Sequence, residues 1–445
     1  MIGKTGIVVP MSCAPVRTLC VATFALGLAA CGGDTSVPPL DSGGSGGPAP
    51  QVEYTLLYSF SGGSGDGASP TGLIQGSDGN FYGTTQGGAV QGQTQYGTLY
   101  KITPDGVETV LHPFGTVSDD GASPQAGVLQ ASDGNFYGTT SEGGAVSSCH
   151  SGAGCGTLFK YAPGTNTYTV LHSFGSVAGD GETPMASLIQ GSDGNLYGTT
   201  SAGGANGDGT VFKFDLTSGT ESVFYSFAGG SVDGAAPYAP VVQSSNGNLY
   251  GSTVLGGASG TGTLYGITPA GVEGLLYAFA GAPGGGNATD SVNPYAGVIL
   301  GSDNNLYGAT PLGGAVNDGT LFTFQFSSFS EQILYSFVGF EGFKVNASRL
   351  VQDSKGVFYG TTWGGGKNCL SSTRGGCGTV FMYTPSSGAY TVLYNFGSFT
   401  GDGENPIGAG SSAAPVVLGS DGSLYGTTGA GGANGYGAVF KLTVK

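Results

Sequence analysis

Four sets of side chains in this 445-residue chain have the types and spacing to do chemistry. The first is a series of acids, Asp66, Asp120, Asp180, Asp233, Asp290, Glu341 and Asp402, set in a connection whose clearest copies read Gly-Asp-Gly-X-X-Pro. Carboxylates and glycine-rich backbone carbonyls are hard-oxygen ligands, so the ion such a set could hold is calcium. A calcium ion needs about six to eight oxygens at one point, whereas these acids are dispersed one to a repeat. The favoured role is an Asx-turn closing before the X-X-Pro segment, which leaves a negative rim. Calcium apart, no cofactor is expected.

The second set is the cysteines. Cys13, Cys20 and Cys31 lie near the N-terminus, while Cys149 with Cys155, and Cys369 with Cys377, fall inside two loops of the same kind. An oxidising compartment makes these two local disulfides. Zinc would need four ligands together, which loops four repeats apart do not readily supply. The third set is the histidines. His112 and His172 stand where Tyr58, Tyr225, Tyr277, Tyr335 and Tyr394 stand elsewhere, which reads as packing, and His150 lies in a disulfide loop. No Ser/His/Asp or Cys/His arrangement emerges, so no catalytic residue is assigned.

The fourth set gathers where one repeat breaks the pattern of the others. There Glu341-Gly-Phe-Lys-Val-Asn-Ala-Ser348 replaces the usual turn, five of the 12 cations collect (Lys344, Arg349, Lys355, Lys367, Arg374), and the single tryptophan, Trp363, follows Thr361-Thr362. A tryptophan on a loop offers a rigid apolar face for stacking, and Lys344, Lys367 and Arg374 could hold a carboxylate or an acidic sugar. The competing role is packing, with Trp363 filling the gap left by the divergent turn and the cations forming a solvated patch.

These residues are positioned by a stretch that recurs seven times. Its tyrosine falls at Tyr82, Tyr137, Tyr197, Tyr250, Tyr307, Tyr359 and Tyr425, every 52 to 66 residues, a spacing that signals a propeller, solenoid or array. Each unit predicts four short strands, in the third unit Ala186–Gln190, Asn195–Thr200, Gly209–Phe214 and Glu221–Phe227. The first two are joined by Asp193-Gly194, and Asp78-Gly79, Asp133-Gly134, Asn246-Gly247 and Asp421-Gly422 occupy the same place. Such pairs accept the positive φ of a tight hairpin, so these acids serve the turn. The loop after the second strand is glycine-rich, but no helix follows to make it a phosphate cradle. The last unit ends without its fourth strand, so residues 53–60 are expected to supply it and close a seven-bladed, all-β propeller of four-stranded blades over residues 53–445.

From Met11, which reads as the true start, Arg17 precedes an apolar run Leu19–Leu28 and then Leu28-Ala29-Ala30-Cys31. The run is too short for a stable anchor and the small residues suit signal cleavage, so residues 1–30 read as a signal peptide. Residues 31–52 have no apolar period and read as a flexible linker. The formal charge of −16 disfavours nucleic acid and anionic lipid as partners.

Leu28 to Cys31 resembles the bacterial lipobox, which implies a lipid on Cys31 and an outer-membrane lipoprotein whose only hold on the membrane is that lipid. The segments Ser-Asp-Gly-Asn-Leu-Tyr-Gly-Thr-Thr, Gly-Gly-Ala-Asn-Gly-Asp-Gly-Thr-Val-Phe-Lys and Val-Leu-His-Ser-Phe resemble the GloVer tandem repeat of bacterial exported proteins. That resemblance implies exported repeat architecture and carries over no catalytic residue. The expected function is a monomeric, non-enzymatic binding or scaffold propeller whose partner is a glycan or an envelope protein. The alternatives are a polysaccharide lyase or hydrolase, and a purely structural surface protein.

Overall fold

A computed structural model describes residues 50–445 apart from 64, 89–95, 282–289, 340–341, 343–348, 367–376, 399–400 and 404–414. The signal peptide, Cys31, most of the linker, Glu341, Lys344, Lys367, Cys369 and Arg374 lie outside the described residues. Gly46–Lys445 is one compact unit.

The unit is all-β, seven blades of four antiparallel strands arranged in a ring. In the third blade the strands are Ile189–Gln190, Leu196–Thr200, Thr210–Asp215 and Thr220–Ser226, in order from the channel outward. The innermost strand is shorter than the expected Ala186–Gln190. Its N-terminal end leaves the ladder because the Ala186 carbonyl accepts the Thr139 hydroxyl of the preceding blade at 3.1 Å. Val52–Ser59 pairs antiparallel with Ala438–Val444 and is the outer strand of the last blade, with Tyr54 opposite Leu442. The ring is thereby closed by the N-terminal strand, and a hydrogen bond from Ser420 N–H to Gln75 Oε1 at 2.8 Å ties the last blade to the first.

The core lies between blades. One buried cluster joins Tyr197, Val211 and Phe227 of the third blade to Val241, Leu249, Tyr265 and Ile267 of the fourth, and six further clusters join the other blades. Burying apolar area against a neighbour, at roughly 25 cal/mol per Å², is why no single blade is expected to stand alone.

The Tyr-Gly-Thr-Thr signature follows from this packing. A Cβ on Gly198 would lie 2.4 Å from Phe212 Cζ, and one on Gly138 2.5 Å from Phe159 Cζ, so glycine makes room for the ring on the third strand. The first threonine donates across the blade boundary, as Thr199 does to the Ala239 carbonyl at 3.1 Å. The second pairs with a threonine of the third strand, as Thr200 does with Thr210 at 2.8 Å. The tyrosine reaches back to the hairpin: Tyr197 OH donates to Asp193 Oδ2 at 2.9 Å, and Asn195 N–H and Nδ2 donate to the same carboxylate. These donors, with Lys213, hold the Asp193 carboxyl well below the usual range despite the opposing pull of burial.

Candidate functional site

Each blade is joined to the next by a connection that returns from the rim to the channel. Gly181–Glu182 pairs with Ala202–Gly203, and three other blades repeat this two-residue ribbon, so the connections and the Gly-Gly loops share one face. Beneath this face the described acids of the Gly-Asp-Gly connections turn inward. Asp66, Asp120, Asp180, Asp233 and Asp402 are buried. Asp180 accepts the Ser176 and Gly181 N–H groups and faces His172 Nε2 at 3.0 Å. Asp233 accepts the Ala228 and Gly234 N–H groups and the Tyr225 hydroxyl, and Asp402 the Gly397 and Ser398 N–H groups and the Tyr394 hydroxyl. The expected negative rim is thus replaced by buried turn-locking carboxylates, because backbone donors satisfy them better than water at this position. The described acids occupy separate junctions, and one of them, Asp180, gathers with His172 and Glu221 within 4.8 Å, while Cys149, Cys155 and Glu182 form a second such cluster whose two sulfurs are tied in a disulfide.

A third residue completes each junction from the next blade. At the position of Tyr54 the other blades carry Glu108, Tyr168, Glu221, Glu273, Glu331 and Tyr390, all opposite the end of the third strand. Where it is tyrosine, it stacks on the ring of the preceding blade: Tyr168 on His112 at 3.6 Å, Tyr390 on Tyr335 at 4.2 Å and Tyr54 on Tyr394 at 4.5 Å. Where it is glutamate, it meets the junction aspartate. Burial and then the charge of Asp66, Asp233 or Asp290 push Glu108, Glu273 and Glu331 up to about 7. Glu221 also rises to about 7, chiefly through burial, although His172 pulls it down. Burial disfavours the charged form of His172, but the hydrogen bond to Asp180 and the charges of Asp180 and Glu221 together outweigh it and raise the imidazole. The two histidines therefore do the work of the tyrosines in other blades.

One concave part of the molecule is the axial channel, a cavity of about 320 Å³ lined by the inner strands of the blades and the residues leading into them, with all seven blades contributing. Its walls are mostly apolar, with Leu73, Val128, Leu188 and Val417 among them. Tyr238 and Tyr295 stand together there, ring centroids 5.5 Å apart and tilted by 52°. At one register position the blades carry Gly72, Gly127, Ser187, Pro240, Gly297, Arg349 and Pro415. Close approach explains the small residues: a Cβ on Gly72 would lie 2.4 Å from Gly127 N, and one on Gly297 2.6 Å from Ala239 Cβ. Only the sixth blade places a long cation there. Arg349 Nε is buried with no hydrogen-bond partner, and none of the described salt bridges involves its guanidinium. Burial lowers it to about 10. A shallower hollow of about 290 Å³, holding Ser141, His150 and Ser201, shares Met185 and Tyr238 with the channel and places its mouth on the loop-bearing face.

Four overlapping matches to the Gloeobacter/Verrucomicrobia repeat model cover residues 48–244, 146–292, 215–413 and 294–445. The chain belongs to this repeat family. No curated protein matches it. Among solved structures, this repeat chain is similar to the extracellular domain of a hybrid two-component system from B. thetaiotaomicron, with a TM-score of 0.53, 10% identity and 87% of the chain covered. It spans 39% of that chain's length, and the likeness is one of fold. An oligogalacturonate lyase from Vibrio parahaemolyticus aligns at a TM-score of 0.49 and 10% identity, over 89% of this chain and 97% of that one. An oligogalacturonate lyase in complex with manganese aligns at 0.45 and 10% identity, over 85% of this chain and 98% of that one. Neither score supports a comparison of sites.

Within this repeat protein, Cys149 and Cys155 form a disulfide in the second blade's loop. Cys377 is disulfide-bonded, and its expected partner Cys369 is outside the described residues. Trp363 is half-buried. It directly follows Thr362, the place held by Gln86, Ser141 and Ser201, which line the hollow beside the channel mouth. Of the two described cations of the sixth repeat, Arg349 and Lys355, Arg349 lines the channel, and it was not among the expected ligand residues. The signal was present in the sequence: an arginine aligned with three glycines, two prolines and a serine.

Proposed function

We propose that this repeat protein is an exported, lipid-anchored binding module of the cell envelope that takes its ligand on the loop-bearing face around the channel. The observation that carries the reading is the use of its reactive side chains. The junction aspartates lock the connections between blades, two of them with His112 and His172, and the hairpin aspartates lock turns within blades, while the described residues lining the channel include no carboxylic acid, imidazole or thiol. Histidine and carboxylates are the commonest general acids and bases, and tyrosine can also serve, so Tyr238 and Tyr295 beside Arg349 are the channel groups that the lyase or hydrolase alternative would have to use. The lipobox-like Leu28-Ala29-Ala30-Cys31 supports anchoring at the outer membrane through Cys31. The half-buried Trp363, at the repeat position held by Gln86, Ser141 and Ser201, supports a glycan or an envelope protein as the ligand, since an indole stacks well on a sugar face or a partner's apolar side chain.

The test is to incubate the protein with neutral and acidic polysaccharides and follow both retention and release of shorter products. Retention without products, lost in Trp363→Ala at unchanged melting temperature, is the expected result. Release of shorter products would establish the lyase or hydrolase reading instead. Labelled palmitate incorporated by the parent and not by Cys31→Ser checks the anchor.

A further inference from the structure

Arg349 lines the channel with its Nε buried and without a hydrogen-bond partner, a feature the glycan reading does not use. Arg349 is part-buried with no ion pair among the described salt bridges, and natural proteins commonly pair such a cation or use it. Here the body is acidic, with a net charge of −16, yet no described carboxylate is brought to Arg349. The inner strands keep glycine, serine or proline around it, so the space in front of it stays open as a cavity of about 320 Å³. That volume is at the lower end of small-molecule sites, which are mostly apolar with a few polar groups that fix orientation. Polar atoms besides the guanidinium are sparse: the Ser187 hydroxyl, the Gln190 amide and the hydroxyls of Tyr238 and Tyr295. Such a lining cannot satisfy the many hydroxyls of a sugar. It suits a ligand with one negative group and an apolar body.

We propose that the channel binds a small organic monocarboxylate, its carboxylate paired with Arg349 and its apolar or aromatic body lying against Tyr238 and Tyr295. A planar guanidinium receives a carboxylate through two parallel N–H···O bonds, and the low polarity around it strengthens them. The tyrosine rings supply flat faces for an aromatic body. This site stands independently of glycan binding at Trp363, and either can fail without the other.

The experiment uses the full chain and 3-phenylpropionate, with 3-phenylpropionamide as the uncharged isostere, acetate as the headgroup alone and chloride as the bare anion. Binding is read by calorimetry and by the rise in melting temperature. The expected result is saturable binding of phenylpropionate, with the amide and acetate each weaker by about tenfold or more, as loss of a charge-assisted bond or of the apolar body implies. Arg349→Gln should lose that preference while melting close to the parent, because it removes a part-buried cation that has no ion pair among the described salt bridges. Should Arg349→Gln melt lower, the carboxylate-against-amide comparison on the unaltered protein decides alone. Equal binding of acid and amide, chloride protecting as well as the acid, or no binding of phenylpropionate at millimolar concentration overturns the proposal.

Discussion

Replacing Glu331 by glutamine tests whether the carboxyl pairs between blades are held together by a proton. Glu331 Oε1 accepts the Ser291 hydroxyl at 2.7 Å and faces Asp290, which accepts the Ser291 N–H and the Tyr277 hydroxyl. Burial first, and the Asp290 charge after it, move this carboxyl from 4.5 to about 7, while the Ser291 bond pulls the other way. The folded pKa is raised, so between 4.5 and about 7 the folded protein keeps a proton that the unfolded chain has released. Stability therefore falls as pH rises through that window and is level above it. At about 1.36 kcal/mol per pH unit the ceiling is about 3.4 kcal/mol, and allowing for partial solvent access leaves about half. Glutamine keeps the shape, donates an N–H where the acid donates its proton, and never ionises. Urea unfolding of parent and variant should coincide near pH 4.5, and at about pH 8 the variant should be more stable by about 1.5 kcal/mol. A variant less stable at pH 8, or a difference independent of pH, refutes the reasoning. Glu331 is the better choice over Glu221 because His172, itself raised, faces Glu221 and loses stability with rising pH in the same sense.

The remaining expectations concern packing, closure and ions. Gly198→Ala should cost about 2–4 kcal/mol, because the new Cβ meets Phe212 Cζ at 2.4 Å and Leu188 Cδ2 at 2.7 Å; an unchanged melting temperature would disprove the role given to this glycine. Tyr54→Ala removes the stack on Tyr394 at 4.5 Å and loosens the closing strand, so it should cost about 3 kcal/mol and promote association through the exposed edge, checked by thermal unfolding and light scattering. Chelation with EDTA should leave the melting temperature unchanged, since the junction carboxylates are already satisfied by N–H donors; a drop of several degrees restored by calcium would return these acids to the role of ligands.

The seven blades, the Asp-Gly hairpins and the missing fourth strand were legible in the sequence because each is local. A type I′ turn, an alternating strand and a repeat spacing are all written within a few residues of one another. The junctions were not legible, since Asp180, His172 and Glu221 belong to three different segments and meet only when two blades pack. The same acid at Asp66 and Asp402 meets Glu108 in one junction and Tyr54 in the other, so the chemistry of the joint depends on what the neighbouring blade presents. Trp363 drew attention by rarity, and the fold leaves it half-buried at the place in its blade that Gln86, Ser141 and Ser201 hold in theirs. Arg349 was visible as one cation among five, and only ring closure turned its register position inward. The sequence by itself determined the fold class, the blade count and the strand that closes the ring. Only the tertiary structure decided which side chains hold blades together and which one is left facing a cavity, because that choice depends on contacts made across 40 to 60 residues of chain.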